Sequence, residues 1–375
     1  MRIPIRLYGG IAWEKREDDT ALKTAHRVEP AITHFAISGA PITCEKYGHG
    51  HINCTYQVKT DDGHAYILQR INRYVFADPK AVMENVGAVT QYLRERAEDP
   101  HEVLNFIPAD TGVYYHIDEA GEYWRCYEFA DGICLEAPES DTDFYESAIA
   151  FGRFQEMLRE FPAETLHETI PLFHNTTNRY RIFRKALQDD LAGRAAGVPD
   201  DIRFALDREQ EAGTLCSLLD SGELPLRVTH NDTKLNNVLF DRRTRKALCV
   251  LDLDTVMPGL SLYDFGDMVR GGTSPAEEDE VNLAKVGMRF EMFEALLQGF
   301  LSSAGDFLTA AERENLPFSG KLITLETGIR FLTDYINGDL YFKTRRPNHN
   351  LERCRNQFRL VESIEHQMNR MLSLL

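Results

Sequence analysis

Between Thr229 and Asp254 two short apolar runs flank a basic turn, and the polar residues around them leave few arrangements open. The order is Thr229-His230-Asn231-Asp232-Thr233-Lys234-Leu235-Asn236-Asn237, then Val238-Leu239-Phe240-Asp241, then Arg242-Arg243-Thr244-Arg245-Lys246, and shortly afterwards Cys249-Val250-Leu251-Asp252-Leu253-Asp254. Two strands closed by that polar turn bring Asp232, Asn237 and Asp252 together. A carboxylate able to accept a hydroxyl proton, beside an Asn and an Asp able to hold Mg²⁺ on a triphosphate, is equipment for phosphoryl transfer. An ordinary hairpin with exposed carboxylates is the plainer alternative. The second Asp-bearing run, falling in register with the first, argues against it.

At 375 residues the chain is long for one domain and suits two bodies sharing a cleft. Hydrophobic residues make up 43% and charged residues 27%, which permits a large core and excludes a disordered chain. The formal charge of −17 argues against a nucleic-acid partner. Cys44, Cys54, Cys126, Cys134, Cys216, Cys249 and Cys354 form no C-x-x-C pair, so free thiols in a reducing compartment are expected. No apolar run reaches membrane-spanning length, and Met1-Arg2-Ile3-Pro4 opens no secretory segment. These features together predict a cytoplasmic protein without a membrane partner.

In chain order, residues 1–30 read as a charged arm. Ile52, Cys54, Tyr56 and Val58 alternate with Asn53, Thr55, Gln57 and Lys59, the pattern of a half-buried strand, and Asp61-Asp62-Gly63 turns it back into a second strand from His64 to Ile71. Asp78-Pro79 opens a helix whose apolar face is Val82, Val86, Val89 and Leu93. Gly112–Asp118 and Glu122–Phe129 form another hairpin about Glu119-Ala120-Gly121. Thereafter the periodicity is helical: Phe144, Ala148, Phe151 and Leu158; Leu322, Leu325, Ile329 and Leu332; and a last stripe of Val361, Ile364, Met368, Leu372 and Leu375, read as core. Strands before about 130 and helices after it, interrupted by one hairpin over 237–254, predict a two-lobed α+β architecture. The expected division is an arm over 1–30, a small β-rich N-lobe over 31–130 and a large helical C-lobe over 131–375.

Protein kinases order their catalytic groups as H-R-D-x-x-x-x-N followed by D-F-G. Here His230-x-Asp232 and Asn237 keep the first spacing, and Val250-Leu251-Asp252 stands for the second. The chain resembles the aminoglycoside phosphotransferase and choline kinase superfamily. The wording of Thr229–Asn237, of Asp252-Leu253-Asp254-Thr255-Val256-Met257-Pro258-Gly259 and of Tyr263-Asp264-Phe265-Gly266-Asp267 is similar to the branch containing N-acetylhexosamine 1-kinase. The resemblance implies a protein kinase-like fold and use of ATP and Mg²⁺. Asp232 is then the catalytic base, with Asn237 and Asp252 holding Mg²⁺. Asp254, on the same face of an extended strand, is a second metal ligand or a substrate contact.

The resemblance extends to the nucleotide side. Gly48, Gly50 and Asn53 fall in a phosphate-covering loop, where His49 and His51 are read as solvated. Arg70 takes the place of the strand lysine that kinases use on phosphate, or else faces water at a sheet edge; Glu84 is its candidate helix partner. Glu128, Phe129 and Ala130 lie where adenine binds, and Lys234 supports the loop or touches the γ-phosphate. Asp264 and Asp267 anchor the loop that carries His230. On the acceptor side stand His230, Asp254, Arg270, Asp339 and Tyr341. Asn175 and its neighbours suit either a sugar or a helix cap. The expected reaction is phosphorylation of an N-acetylhexosamine at its anomeric hydroxyl. Kinases of choline, ethanolamine, homoserine or an aminoglycoside, and a nucleotide-binding pseudokinase, are the alternatives.

Overall fold

A computed structural model describes residues 30–48, 52–138 and 140–375. The expected N-terminal arm and the positions of His49, Gly50 and His51 lie outside the described residues.

The first hairpin follows from its turn. Gly63 sits at φ 89°, and Asp62 accepts hydrogen bonds from the Thr60 hydroxyl at 2.6 Å and the His64 amide at 3.3 Å, the side-chain chemistry that closes such turns. Around it Pro41–Lys46 (β1), Cys54–Thr60 (β2), Ala65–Arg70 (β3), Phe106–Ile107 (β4), His116–Ile117 (β5) and Tyr123–Glu128 (β6) form an antiparallel sheet in the order β1-β2-β3-β6-β4, with β5 on β6. Alternation assigns the two faces. Val58, Tyr66, Leu68, Trp124 and Cys126 pack with Ala31, Ile32 and Phe35. The intervening residues Thr55, Gln69, Arg125 and Tyr127 therefore point to the other face, toward the rest of the chain. The register sets Gln69 opposite Arg125 and Arg70 opposite Trp124.

Pro79–Arg94 (α1) starts where Asp78 caps it, accepting from the Ala81 amide at 3.1 Å. Its Val82, Val86, Val89 and Leu93 are buried. Asn85 ties this helix downward: its amide donates to the carbonyls of His167 (2.8 Å) and Val256 (2.9 Å) and accepts from the His167 amide at 2.8 Å. Helices then dominate: Asp141–Met157 (α2), Thr176–Asp189 (α3), Pro199–Leu206 (α4), Thr214–Asp220 (α5), Ser261–Gly272 (α6), Phe290–Ala304 (α7), Ala310–Asn337 (α8) and His349–Leu372 (α9). The fold is a small antiparallel lobe on a large helical one, of protein kinase-like type. Among the described residues no helix is long and apolar enough to cross a membrane.

Three expectations change. The hairpin over 237–254 is shorter, with strands Val238–Phe240 (β8) and Ala247–Val250 (β9). A second ribbon, Arg227–Thr229 (β7) against Met257–Gly259 (β10), escapes a pattern reading because Pro258 and Gly259 are poor strand formers, tolerated here where each strand has one neighbour. The last apolar stripe is core only in its first part: Val361 and Ile364 are fully buried, whereas Leu372 and Leu375 are 45% and 48% exposed at the end of the chain.

Helix α6 lies directly on α8 through glycine. A Cβ on Gly266 would stand 2.6 Å from the Ser319 carbonyl oxygen, and one on Gly320 would stand 2.7 Å from Val269. Gly266→Ala is expected to destabilise by about 1–3 kcal/mol through overpacking, read as a lowered midpoint in thermal unfolding. An unchanged midpoint would show that the two helices separate freely.

Candidate functional site

The segment after β7 is held by two carboxylates of α6. Asp264, in the first turn of α6, accepts from the backbone amides of His230 at 2.9 Å and Asn231 at 2.7 Å and from the Gln155 side chain at 2.6 Å. Asp267, one turn on, accepts from the Thr233 amide at 3.0 Å. Asn231 takes φ 65°, a conformation Asn tolerates better than most residues. Its side chain donates to the Thr255 carbonyl at 2.9 Å. His230 is 0% exposed, and its Nε2–H donates to the Leu251 carbonyl at 2.8 Å. That bond leaves Nδ1 to accept from the Asp232 amide at 3.3 Å, so one neutral tautomer serves both contacts. His230 thus orients the loop from beneath, and the expected substrate contact is corrected: the ring is sealed between Phe151, Phe154 and the backbone.

On this support Asp232 turns into the cleft. Its Oδ1 lies 2.6 Å from Lys234 Nζ, and its Oδ2 accepts from Asn237 Nδ2 at 2.9 Å. The same Asn237 nitrogen donates to the Asp232 carbonyl at 2.8 Å, which leaves Asn237 Oδ1 for a different partner. Burial pulls the Lys234 ammonium down, but Asp232 outweighs it and holds the pKa above the usual range.

Asp252 stands across from this pair at φ 56°. It is open to solvent yet set deep among neighbouring protein groups. Burial first, then the Asp254 and Asp232 carboxylates, push its carboxyl up to about 6. Carboxylates that disfavour one another's charge, beside a free amide oxygen, suit a hard divalent cation. Asp252 and Asn237 are the residues that would hold Mg²⁺, with phosphates and waters completing the shell. Among the described residues no three His, Cys, Asp or Glu side chains form a metal cage, and Mg²⁺ on a nucleotide needs none.

Asp254 is placed differently from expectation. The strand ends at Val250, and Leu253–Thr255 is a 3₁₀ turn, so Asp252 and Asp254 do not share a strand face. Asp254 is 3% exposed; one oxygen pairs with Arg125 and the other accepts from Asn53 at 2.6 Å. Each of its oxygens already has a protein partner and the side chain is buried, which weighs against both the metal and the substrate expectation. The phosphate cation expected at Arg70 is also corrected. Arg70 projects from the outer face of the sheet, where it donates to Cys54 Sγ at 3.4 Å. Glu84 lies on the solvent side of α1, paired with Lys80 at 3.6 Å and His167 at 2.8 Å. Arg125 was missed because Tyr123–Phe129 reads as an aromatic core strand, and only the register reveals which face its one arginine takes.

On the nucleotide side Gly48 sits at φ 74°, a conformation that favours glycine, and Gly50 is outside the described residues. The Glu128 amide is taken by the Asn105 carbonyl and the Phe129 amide by that of Ala65, both near 3.0 Å. Ala130 N–H makes no hydrogen bond among the described residues.

The acceptor-side expectations divide. Arg270 is locked to Asp267 at 2.8 Å and Glu278 at 3.1 Å. Burial raises the Asp267 pKa, yet Arg270 and Lys234 overcome it and keep the carboxyl below its ordinary value. Asp339 is tied to Arg194 at 2.6 Å and Asn350 at 2.9 Å, a structural employment that replaces the expected substrate contact. Tyr341 is 37% exposed beside Phe342. Asn175 caps α3, accepting from the Asn178 amide at 2.8 Å. Next to it His174 and Thr176 bind Glu326 at 3.0 and 2.6 Å, leaving His174 Nε2 buried without a partner.

A model of the phosphotransferase enzyme family matches residues 43–295. The chain belongs to that family. Its fold is similar to that of a microcompartment-associated aminopropanol kinase at 18% identity, covering 94% of this chain and 98% of that one, with a TM-score of 0.56. An amicoumacin kinase solved with AMP-PNP and Ca²⁺ superposes at 14% identity over 92% of each chain, TM-score 0.57. A choline/ethanolamine kinase family protein from Mesorhizobium loti does so at 16% identity over 94% and 97%, TM-score 0.55.

For a phosphotransferase with this geometry, Asp252→Ala is expected to remove the Mg²⁺ dependence of nucleotide binding while leaving the thermal midpoint near or above the parent's, because it relieves carboxylate repulsion. Calorimetric titration of an ATP analogue with and without Mg²⁺ is the measurement. Retained Mg²⁺ dependence would assign the ion elsewhere.

Proposed function

We propose that this phosphotransferase is an ATP- and Mg²⁺-dependent kinase that phosphorylates an N-acetylhexosamine, of the N-acetylglucosamine or N-acetylgalactosamine type, at its anomeric hydroxyl. The observation that carries the choice of a neutral acceptor is the charge state beyond Asp232. A cationic amino alcohol or aminoglycoside calls for uncommitted carboxylates and open aromatic faces. Here Asp267 is taken by Arg270, Glu278 by Arg270 and Arg353, and Glu326 by His174 and Thr176. The aromatic rings already carry guanidinium groups: Arg330 lies 5.3 Å from the Phe173 centroid and Arg353 4.5 Å from that of Phe331. Burial, and then the neighbouring Arg330 guanidinium, push Arg179 down to about 10. A second cation fits poorly there. A neutral sugar, whose hydroxyls and acetamide can accept from arginine and donate to the His174 Nε2 lone pair, fits well.

In this reading Asp232 orients the acceptor hydroxyl and takes its proton, and Lys234 meets the charge of the transferring phosphoryl group. Bound Mg²⁺ neutralises charge on the phosphates. The anomeric position follows from the resemblance of Thr229–Asn237 and Asp252–Gly259, and its hydroxyl is the most acidic on the ring. Intact placement of Asp232, Asn237 and Asp252 speaks against a pseudokinase. The amino-alcohol reading draws on the overall charge of −17 and on the aminopropanol and choline/ethanolamine kinases of like fold.

The test incubates the protein with ATP, Mg²⁺ and each of a panel of sugars and amino alcohols, following ADP and reducing ends together. ADP formed one-for-one with lost reducing ends is expected for the N-acetylhexosamines. ADP with reducing ends intact rejects the anomeric position, and stimulation by choline or ethanolamine alone rejects the sugar. Asp232→Asn is expected to lower turnover ~10²–10⁴-fold with nucleotide affinity kept, measured by steady-state kinetics beside calorimetry.

A further inference from the structure

Kinases align ATP with a strand lysine that pairs with a glutamate on the neighbouring helix. Neither residue is in its usual place here. On β3 the side chain facing the cleft is Gln69, and on α1 the side chain against the cleft cation is Met83, whose sulfur lies 3.8 Å from Arg125. Glu84, the nearest helix carboxylate, is 45% exposed on the far side.

We propose that Arg125 on β6 is the N-lobe cation that binds the nucleotide phosphates, and that Asp254 of the metal segment is the carboxylate that positions it. The proposal rests on the phosphotransferase reading and relocates both halves of the pair: the cation moves one strand across, and its partner moves from the helix to the turn after Asp252. Gln69, the register partner, accepts from Arg125 Nε at 2.9 Å and donates to Thr55 at 3.0 Å. Arg125 Nη1 pairs with Asp254. Nη2 makes no hydrogen bond among the described residues. A planar guanidinium fixed through Nε and Nη1 presents that remaining nitrogen in one direction, as a pre-aimed phosphate donor. Asp254 also accepts from Asn53, whose Oδ1 in turn accepts from the Asn72 amide at 3.0 Å. The chain Thr55–Gln69–Arg125–Asp254–Asn53 therefore links the sheet and the end of the glycine loop to the turn that carries Asp252.

The experiment measures dissociation constants of Mg·ADP and of adenosine for the full chain, for Arg125→Met, for Arg125→Lys and for the double variant Gln69→Lys/Arg125→Met. Circular dichroism and thermal unfolding are recorded alongside. A charge-assisted phosphate contact predicts about 10- to 100-fold weaker ADP binding in Arg125→Met with adenosine affinity held within about twofold. Arg125→Lys is expected to fall between the two, and Gln69→Lys/Arg125→Met to recover most of the ADP affinity by returning a lysine to β3. Should Arg125→Met fail to fold because Asp254 is left unpaired, Arg125→Lys keeps the charge and carries the test alone. Equal losses for ADP and adenosine would mean that Arg125 only aligns the lobes and would overturn the inference. Unchanged ADP binding in a folded Arg125 variant would overturn it too, with the phosphotransferase reading left standing. A parent chain that binds neither ADP nor ATP overturns both.

Discussion

The contact between Arg125 and Asp254 is the one on which the cleft depends. Both side chains are almost wholly buried, so each charge loses its hydration, and an ion pair in such a place adds little net stability over an apolar pair. Removing one partner alone is a different matter, costing about 3–5 kcal/mol because the other is left charged and dry. The pair therefore acts as a constraint more than as a source of stability. In this arrangement of the sheet over the turn at Asp252, Gln69, Asn53 and the two charges all find partners. Asn85 of α1 adds a neutral tie of the same kind, reaching the carbonyls of His167 and Val256.

The lower half of the cleft is built on a second buried carboxylate with a different logic. Asp264 has no arginine opposite it; two backbone amides and Gln155 satisfy it, at the helix end where a negative charge is favoured. Through these bonds the position of α6 becomes the position of Asp232. The glycine contact between α6 and α8 matters for the same reason: a helix displaced by one methyl group would carry the catalytic loop with it. Positioning is most of what phosphoryl transfer asks of a protein, and here packing distance and loop geometry are joined by two hydrogen bonds.

This explains what was legible in the sequence and what was not. Spacing along the chain identified Asp232, Asn237 and Asp252 as a group, because a turn of known length brings such residues together whatever surrounds them. The two hairpins announced themselves through Asp-Gly and Ala-Gly turns, and the helices through their period. Alternation also showed correctly that Cys54, Tyr56 and Val58 share a face. It carried no information on which face looks into the cleft, and Arg70 was misassigned for that reason alone. Neighbouring positions on a strand differ by half a turn, so Gln69 inherits the cleft and Arg70 the back of the sheet. Asp254 failed on a related point. The strand reading extended it two residues too far, whereas the left-handed backbone at Asp252 breaks the alternation. Arg125 and Glu326 required tertiary information, since their partners lie 129 and about 150 residues away.

The same separation of local from global charge governs the acceptor side. A net charge of −17 invites a cationic substrate, and at a distance the field of the whole chain would attract one. At contact range the relevant quantity is how many carboxylates remain without a partner. Asp267, Glu278, Glu326, Asp334 and Asp339 are each bound, Asp334 by three successive backbone amides that shape the loop bearing Tyr341 and Phe342. The unmet groups are of both kinds: Arg179 Nε is a buried donor without a hydrogen bond, and His174 Nε2, with Nδ1–H given to Glu326, is a buried acceptor without one. Buried groups of this kind lower their cost by gaining a partner; a hydroxylated, acetylated ring offers donors and acceptors in several directions, a trimethylammonium head neither.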